Sequence, residues 1–165
     1  MIGSALLIVL AQAAAPEALK PEGSWQLDES SGCTLSRRFG SAAGPVTFGV
    51  TPNIGAPGGE MVLVLPGRAS GRYEVDEGRI TVGEAGATFP AVWSRVGRRD
   101  QSYNGVTIQP ADAFWGALPT ARLLTMDVGK RQQVRLELGP MAAAAGALEK
   151  CRTDKAALLK TARRR

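Results

Sequence analysis

The chain of 165 residues contains no histidine, and this absence excludes several kinds of chemistry. Histidine is the usual general base and the commonest metal ligand near neutral pH. A Ser-His-Asp triad, an HExxH site and a Cys/His zinc site therefore cannot be built. The glycine-rich segments "GAPGGE" and "GEAGAT" lack the GxGxxG spacing of a phosphate-binding loop. The sequence predicts neither a metal nor a cofactor.

Long apolar runs are also missing, and the longest lies near the amino terminus. Residues 5–10 of "MIGSALLIVLAQAAAP" form an apolar core followed by small residues, which is typical of a secretory signal peptide. The run is too short to span a bilayer. We expect residues 1–13 to be cleaved as a signal peptide, leaving an exported, periplasmic protein that begins at Ala14 and has no transmembrane span.

Cysteine is scarce, with Cys33 and Cys151 as its two instances. In an oxidising compartment thiols pair, and two cysteines allow one intramolecular bridge. The loop of more than a hundred residues between them gives such a bridge roughly 4–5 kcal/mol in the chain-entropy relation. The alternative is a nucleophilic thiol, activated by Lys150, Arg152 and Lys155 but without a histidine base. We favour the structural disulfide.

The 20 glycines and 10 prolines are scattered without a period, which favours short strands joined by turns. Period-two alternation predicts strands at "WQL", "CTLSRRF", "PVTFGV", "EMVLVLP", "RYEV", "RITV", "ATFPAVWSRV" and "YNGVTIQ". "RYEV" and "RITV" should form a hairpin across "DEG". "MVLVL" should be a central strand covered on both faces. Pro90 should place its strand at an edge or a bulge. Arg37 and Phe39 share the face of Cys33, so burial should fade toward that strand's end.

The last third of the chain changes character. "PADAFWGALPTA" predicts a short helix that ends near Pro119 and uses Phe114, Leu118 and Ala121 as its apolar face. "RLLTMDV" and "QQVRLEL" predict a hairpin across "GKR". A final helix is predicted over residues 141–162, with one face formed by Met141, Ala144, Leu148, Cys151, Leu158 and Ala162.

These elements predict one α+β domain that is mainly β. We expect an antiparallel sandwich or a partly open barrel, with the short helix and the C-terminal helix packed on it. Residues 24–162 form this domain, residues 14–23 a flexible leader, and residues 163–165 a basic tail. About 150 residues after the leader suffice for one core.

The order of the motifs carries a resemblance. "W-x-L", "GC-x-L-x-R-x-F", "VTFGV", "LL-x-M-x-VG", "V-x-LELG" and "AAAAGALEKC" follow one another along most of the mature chain. In this order they resemble small uncharacterised exported proteins of Gram-negative bacteria, some of them similar to domains beside TonB-type energy transducers. The closing strand and "A-x-x-AL" helix are distantly similar to invasion-associated locus B proteins. The resemblance implies a periplasmic location and supplies no catalytic residue.

Charge is concentrated at the C-terminal end. The net charge is +5, and residues 149–165 hold seven basic and two acidic side chains, whereas the remainder is balanced. Such a basic helix end is suited to an anionic lipid surface or an acidic envelope protein. The candidate contacts are Lys155, Lys160, Arg163, Arg164 and Arg165. The simpler interpretation, which we favour, is that these cations complement the helix dipole. Nucleic acid is not an expected partner outside the cytosol.

Aromatic residues make up 5% of the chain, and four of them are candidates for lining a ligand pocket. They are Trp93, Tyr103, Phe114 and Trp115, although aromatic residues more often simply fill a core.

The carboxylates Asp76, Glu77, Asp112 and Asp127 could serve a glycoside hydrolase, but their spacing resembles that of ordinary turn and cap residues. We expect a non-catalytic binding or interaction domain at the cell envelope, and the alternative is a small carboxylate-based hydrolase of cell-wall glycan.

Overall fold

The computed structural model describes residues 16–67, 73–95, 103–128 and 132–162. In these ranges the chain forms nine strands and two helices, with one 3-10 turn. The strands are β1 (Pro21–Asp28), β2 (Thr34–Phe39), β3 (Val46–Pro52), β4 (Gly59–Pro66), β5 (Glu74–Val82), β6 (Thr88–Arg95), β7 (Tyr103–Pro110), β8 (Leu123–Asp127) and β9 (Gln133–Glu137). Helix α1 is Ala113–Ala117, the 3-10 turn is Leu118–Thr120, and α2 is Ala142–Ala162.

All nine strands belong to one antiparallel sheet in the order β1-β2-β3-β4-β7-β6-β5-β8-β9. The sheet curls until its two outer strands come close. There, Leu19 forms a single parallel bridge with Leu136 of β9. The Leu19 N–H donates to the Arg135 carbonyl at 2.8 Å, and the Glu137 N–H donates to the Leu19 carbonyl at 3.0 Å. The predicted α+β class is therefore confirmed, in its form as a partly open barrel.

Alternation along the strands decides which side chains fill the barrel, since successive side chains point to opposite faces. The inward positions are apolar on nearly every strand, and the outward ones are polar or half-exposed. Fully buried side chains include Leu35, Phe39, Phe48, Met61, Leu63, Ile80, Ile108, Leu124, Met126 and Leu136. One continuous core runs through the barrel and includes Phe114, Leu118 and Leu148 from the helical segments.

Both helices lie at the same end of the barrel, which we call the helix end. Helix α1 follows β7 there, α2 follows β9 there, and the β1–β2 turn (residues 29–33) and the β3–β4 loop (residues 53–58) share that end. Leu118 of the 3-10 turn and Leu148 of α2 are buried against the core. The helical segments thus close this end of the barrel.

One cation bridges the two edges of the sheet where they meet. Arg37 lies on the inner face of β2, and its Nε and Nη2 donate to the Gly23 carbonyl at 2.9 and 2.5 Å. Its Nη1 donates to the Leu138 carbonyl, just after β9, at 3.0 Å. Gly23 has φ +72° at a bulge in β1, a conformation that glycine adopts without strain. The Trp25 ring lies 5.7 Å from the guanidinium carbon. Arg37 therefore joins β1 to the end of β9.

Replacing Arg37 should weaken this junction. We expect R37M to lower the free energy of unfolding by about 1.5–3 kcal/mol, because hydrogen bonds from a charged donor contribute about that much. Arg38→Met is the matched control, since Arg38 is exposed on the other face of the same strand. It should change stability by less than about 0.5 kcal/mol. Equal losses for the two variants in urea unfolding would show that the junction is not carried by Arg37.

Several sequence predictions need correction. "RYEV" and "RITV" do not form a hairpin, because the single strand β5 runs from Glu74 in the first segment through Gly78 to the end of the second. A Cβ at Gly78 would lie 2.7 Å from the Asp127 carbonyl oxygen and 2.9 Å from Trp93 Cδ1. The glycine thus allows close approach inside a strand rather than a turn. "MVLVL" is a central strand, as predicted, but Val62 and Val64 are half-exposed, so its outer face is not covered.

The strand containing Pro90 is also not an edge strand, because β6 lies between β5 and β7. Pro90 is tolerated because the β6–β7 ladder begins only at Ala91, so its missing N–H costs no ladder hydrogen bond. Burial does not fade at Phe39, which is fully buried with its ring 6.5 Å from that of Trp25.

Part of the predicted leader, residues 14–23, is also structured. Leu19 pairs with Leu136, and β1 begins at Pro21. Residues 14–15 lie outside the described ranges, as do residues 1–13 and 163–165.

Helix α2 matches the predicted bounds within one residue, but its packing differs. Its buried residues are Ala145, Leu148 and Cys151, whereas Leu158 and Ala162 are exposed. A helix of 21 residues is about 32 Å long, and Cys151 is the last of its fully buried residues, although Lys155 still contacts the β1–β2 turn. The apolar periodicity continues beyond the surface that could bury it.

Candidate functional site

The described surface contains an open groove at the helix end, between the β3–β4 loop, α1 and α2. Its volume is about 350 Å³, close to the lower limit of about 300–1,000 Å³ that is usual for ligand sites. Its lining residues come from three separate parts of the sequence. They are Pro52, Pro57, Gly58, Asp112, Trp115, Gly116, Leu118, Pro119, Ala145, Leu148, Glu149 and Arg152.

Trp115 forms the aromatic wall of the groove, and two contacts hold it there. Its ring lies edge-to-face with the ring of the fully buried Phe114, at 5.7 Å between centroids, and Phe114 in turn packs against Phe89 at 6.0 Å. On the other side, the backbone of Gly59 lies against Trp115 Cζ2, which a Cβ would approach to 2.6 Å. The indole is thus positioned by the core on one side and by the start of β4 on the other.

The polar rim of the groove is already internally paired. Arg152 donates from Nε and Nη2 to the two carboxylate oxygens of Glu149, each at 2.8 Å. This hydrogen bonding lowers the pKa of Glu149 and raises the pKa of Arg152. By contrast, the Trp115 Nε1 donor is buried and has no hydrogen-bond partner among the described residues. The groove therefore has apolar walls, one ion pair and the carboxylate of Asp112, and the donor of its tryptophan is buried without a partner in the described part of the chain.

The disulfide fixes the position of α2, and with it one wall of the groove. Cys33, just before β2, is bonded to Cys151 of α2 with the Cα atoms 5.9 Å apart. Both cysteines are buried. The predicted structural disulfide is confirmed, and the described chain has no free cysteine.

The four predicted pocket aromatics are not gathered into one site. Trp115 lines the groove, whereas Phe114 lies behind it in the core. Trp93 is an inward residue of β6, and Arg95 lies over its ring at 5.8 Å. The side chain of Tyr103 lies outside what the structure describes. Trp115 is thus the member of the four that faces the groove.

The predicted basic contacts are also divided. Lys155 Nζ donates to the Glu29 carbonyl of the β1–β2 turn, so this cation is used within the domain. Lys160 is exposed near the end of α2. Arg163, Arg164 and Arg165 lie outside the described residues.

The four candidate carboxylates lie on different elements. Asp76 and Glu77 are exposed on β5, and Asp76 Oδ1 accepts the Glu77 N–H at 2.9 Å. Asp127, at the end of β8, accepts from Gln133 Nε2 at 3.0 Å. Asp112 lines the groove alone among the four. Within the described ranges, no group of three cysteine or acidic side chains is placed to hold a metal ion.

The sequence did not reveal most of the groove. Pro52, Pro57 and Pro119 appear in the sequence as turn residues, and the Glu149–Arg152 spacing of three predicts only a helix-surface ion pair. The proximity of α1 and α2 depends on the barrel and the disulfide, which no local pattern encodes.

In comparisons with known proteins, no protein family, curated protein or solved structure matches the chain. Among the described helices, none is both long and apolar enough to cross a bilayer.

Proposed function

We propose that this protein is an exported, non-catalytic binding domain of the cell envelope that takes its ligand in the groove at the helix end. The observation that carries the proposal is the groove itself, where a half-buried tryptophan, apolar walls and an ion pair meet at the junction of three elements. The resemblance to small exported proteins of Gram-negative bacteria is part of the same proposal.

Three further features support it. The Cys33–Cys151 disulfide is typical of proteins that fold in an oxidising compartment, which favours export. A cavity of about 350 Å³ with mainly apolar walls accommodates one or two apolar side chains of a partner. Finally, hydrolysis of a glycoside ordinarily uses two facing carboxyl groups, and of the two carboxylates that line the groove, Asp112 and Glu149, the second is already paired with Arg152.

Filling the groove should abolish binding without damaging the fold. Gly116 lies on α1 at the groove, and a Cβ placed on it meets no atom within 4 Å. Gly116→Trp should therefore occupy the groove without strain. In chemical crosslinking of envelope fractions, we expect the specific crosslinks of the native protein to disappear in this variant.

The matched control is Gly146→Trp. Gly146 is exposed on α2, has equally open space around its Cβ and does not line the groove. This variant should keep the crosslinks. Crosslinks that survive in Gly116→Trp would contradict the groove as the binding site. Turnover of cell-wall glycan that is lost in Asp112→Asn would contradict the non-catalytic assignment.

A further inference from the structure

The end of α2 extends beyond the body of the protein. Lys155 and Ala156 are half-buried, and every residue from 157 to 162 is exposed. We call residues 157–162 the projecting end of α2. At 1.5 Å per residue it extends about 9 Å past the last contact with the barrel. The disulfide at Cys151 and the Lys155 hydrogen bond to Glu29 hold the helix just before this segment, so its direction is fixed.

Two leucines are exposed on this projecting end. Leu158 is 69% exposed and Leu159 is 50% exposed, and they are adjacent. Leu158 follows Cys151 by seven residues, so it lies on the helix face that packs against the barrel one and two turns earlier. A single exposed leucine is ordinary on a protein surface. Two together on a projecting, rigidly held helix end form an apolar tip.

The sequence around the projecting end is strongly positive, and Lys160 is the cation that the projecting end itself contains. From Lys155 to Arg165 the sequence has five basic residues and no acidic one. The acidic residues that precede it are neutralised within α2, where Asp154 pairs with Lys150 at 2.6 Å and Glu149 pairs with Arg152 at 2.8 Å. Lys160 therefore has no paired carboxylate among the described residues of α2, whereas Lys155 lies close enough to Asp28 to help lower the pKa of that carboxyl group.

Two apolar side chains beside the exposed Lys160, followed in the sequence by three arginines, match the interface of an anionic bilayer. A leucine side chain is stabilised when it is buried at the boundary between headgroups and acyl chains. Lys and Arg side chains are stabilised by electrostatic attraction to the lipid phosphates. The projecting tip is convex, so it can insert into a fluid membrane surface but offers no concave site for a small ligand. The charge of the tip is complementary to anionic lipid.

We propose that the projecting end of α2 docks the domain on an anionic bilayer, with Leu158 and Leu159 inserted at headgroup depth and Lys160 at the phosphates. This inference rests on the proposed location at the envelope, but it uses a different surface from the groove. Docking through the tip holds the domain at the membrane while the groove remains available for a second ligand.

The test is flotation of the disulfide-bonded protein, purified from its host, with vesicles of phosphatidylcholine alone or of phosphatidylcholine with phosphatidylglycerol. We expect binding to the vesicles that contain phosphatidylglycerol, little binding to the neutral ones, and weaker binding at high salt. The double variant Leu158→Ser/Leu159→Ser should bind the anionic vesicles at least roughly tenfold more weakly. Since both leucines are exposed, the thermal unfolding midpoint should not change.

The matched control is Val75→Ser/Val92→Ser, which removes two exposed apolar side chains from the outer face of the barrel. This control should bind within about twofold of the native protein. Native protein that ignores anionic vesicles, or a leucine variant that binds as well as the native one, would overturn the inference. So would crosslinks to an acidic protein that depend on Leu158 and Leu159 in the absence of vesicle binding.

The groove proposal and the bilayer inference can be tested independently of each other. Gly116→Trp should keep its vesicle binding, so loss of crosslinks in that variant with normal flotation concerns the groove alone. Normal groove-dependent crosslinks without flotation would refute the bilayer inference and leave the groove proposal standing.

Discussion

Replacing both Cys33 and Cys151 by serine should lower the free energy of unfolding by roughly 4–5 kcal/mol. The two residues are 118 positions apart, and the entropy that a cross-link removes from the unfolded chain grows with the length of the closed loop. The total free energy of unfolding of a small domain is about 5–15 kcal/mol, so the variant should be close to unfolded at elevated temperature. Urea unfolding at neutral pH measures the difference.

Reduction of the native protein provides the control for this variant. If the loss comes from the covalent link, native protein in excess reductant should unfold at the same urea concentration as the serine variant. A serine variant far less stable than reduced native protein would instead assign the loss to packing of the buried sulfur atoms. A loss below about 1 kcal/mol would contradict the chain-entropy argument for this loop.

The second large effect is expected at Phe114. Phe114→Ala should lower the free energy of unfolding by about 3–5 kcal/mol, because the ring is fully buried and its removal leaves a cavity. The ring also holds α1 to the barrel through Phe89 and supports Trp115. We therefore expect Trp115 to become more accessible to an aqueous fluorescence quencher.

Phe114→Leu is the conservative counterpart, since it keeps most of the buried apolar volume. Its cost should stay below about 1.5 kcal/mol, as for other volume-conserving changes. If Phe114→Ala costs no more than Phe114→Leu, the helix end collapses freely around the cavity, and α1 is not held by this ring.

Much of the barrel could be predicted from the sequence because the alternation of apolar and polar residues along each strand indicates which face is buried. "CTLSRRF", "VTFGV" and "RLLTMDV" alternate in hydrophobicity, and each is found as a strand with its apolar positions inward. The short helix was predicted from a proline and an acidic residue placed before an apolar face. The predicted apolar face, Phe114, Leu118 and Ala121, is buried, although α1 ends at Ala117 and Leu118 lies in the 3-10 turn that follows. Local patterns suffice where a single element determines the outcome.

The failures arise where distant parts of the chain meet. The Asp-Glu-Gly segment of β5 has the composition of a turn, yet Gly78 is needed because Trp93 and the end of β8 approach its backbone. Phe39 was expected to be less buried because the sequence could not show that Trp25 would pack against it. Leu158 has the right spacing for burial, but the barrel ends before reaching it. Each outcome depends on the position of another element.

The groove was inaccessible to sequence reasoning for the same reason. Trp115 was among the predicted pocket residues, but its partners come from the β3–β4 loop and from α2. Their proximity is a result of barrel closure and of the Cys33–Cys151 link. A binding site assembled in this way has no contiguous sequence motif.

The single bridge between Leu19 and Leu136 also constrains the order in which the protein can fold. That bridge, the Arg37 contacts with Leu138 and the disulfide all connect residues 19–39 to residues 136–151. These contacts are highly non-local, and β-rich topologies of this kind fold on a timescale of about milliseconds to seconds. Until β9 and α2 are available, β1 to β8 form an open sheet with two unpaired edges, which can pair with other chains. Barrel closure and the disulfide therefore both require β9 and α2 to be in place, and closure removes the two unpaired edges.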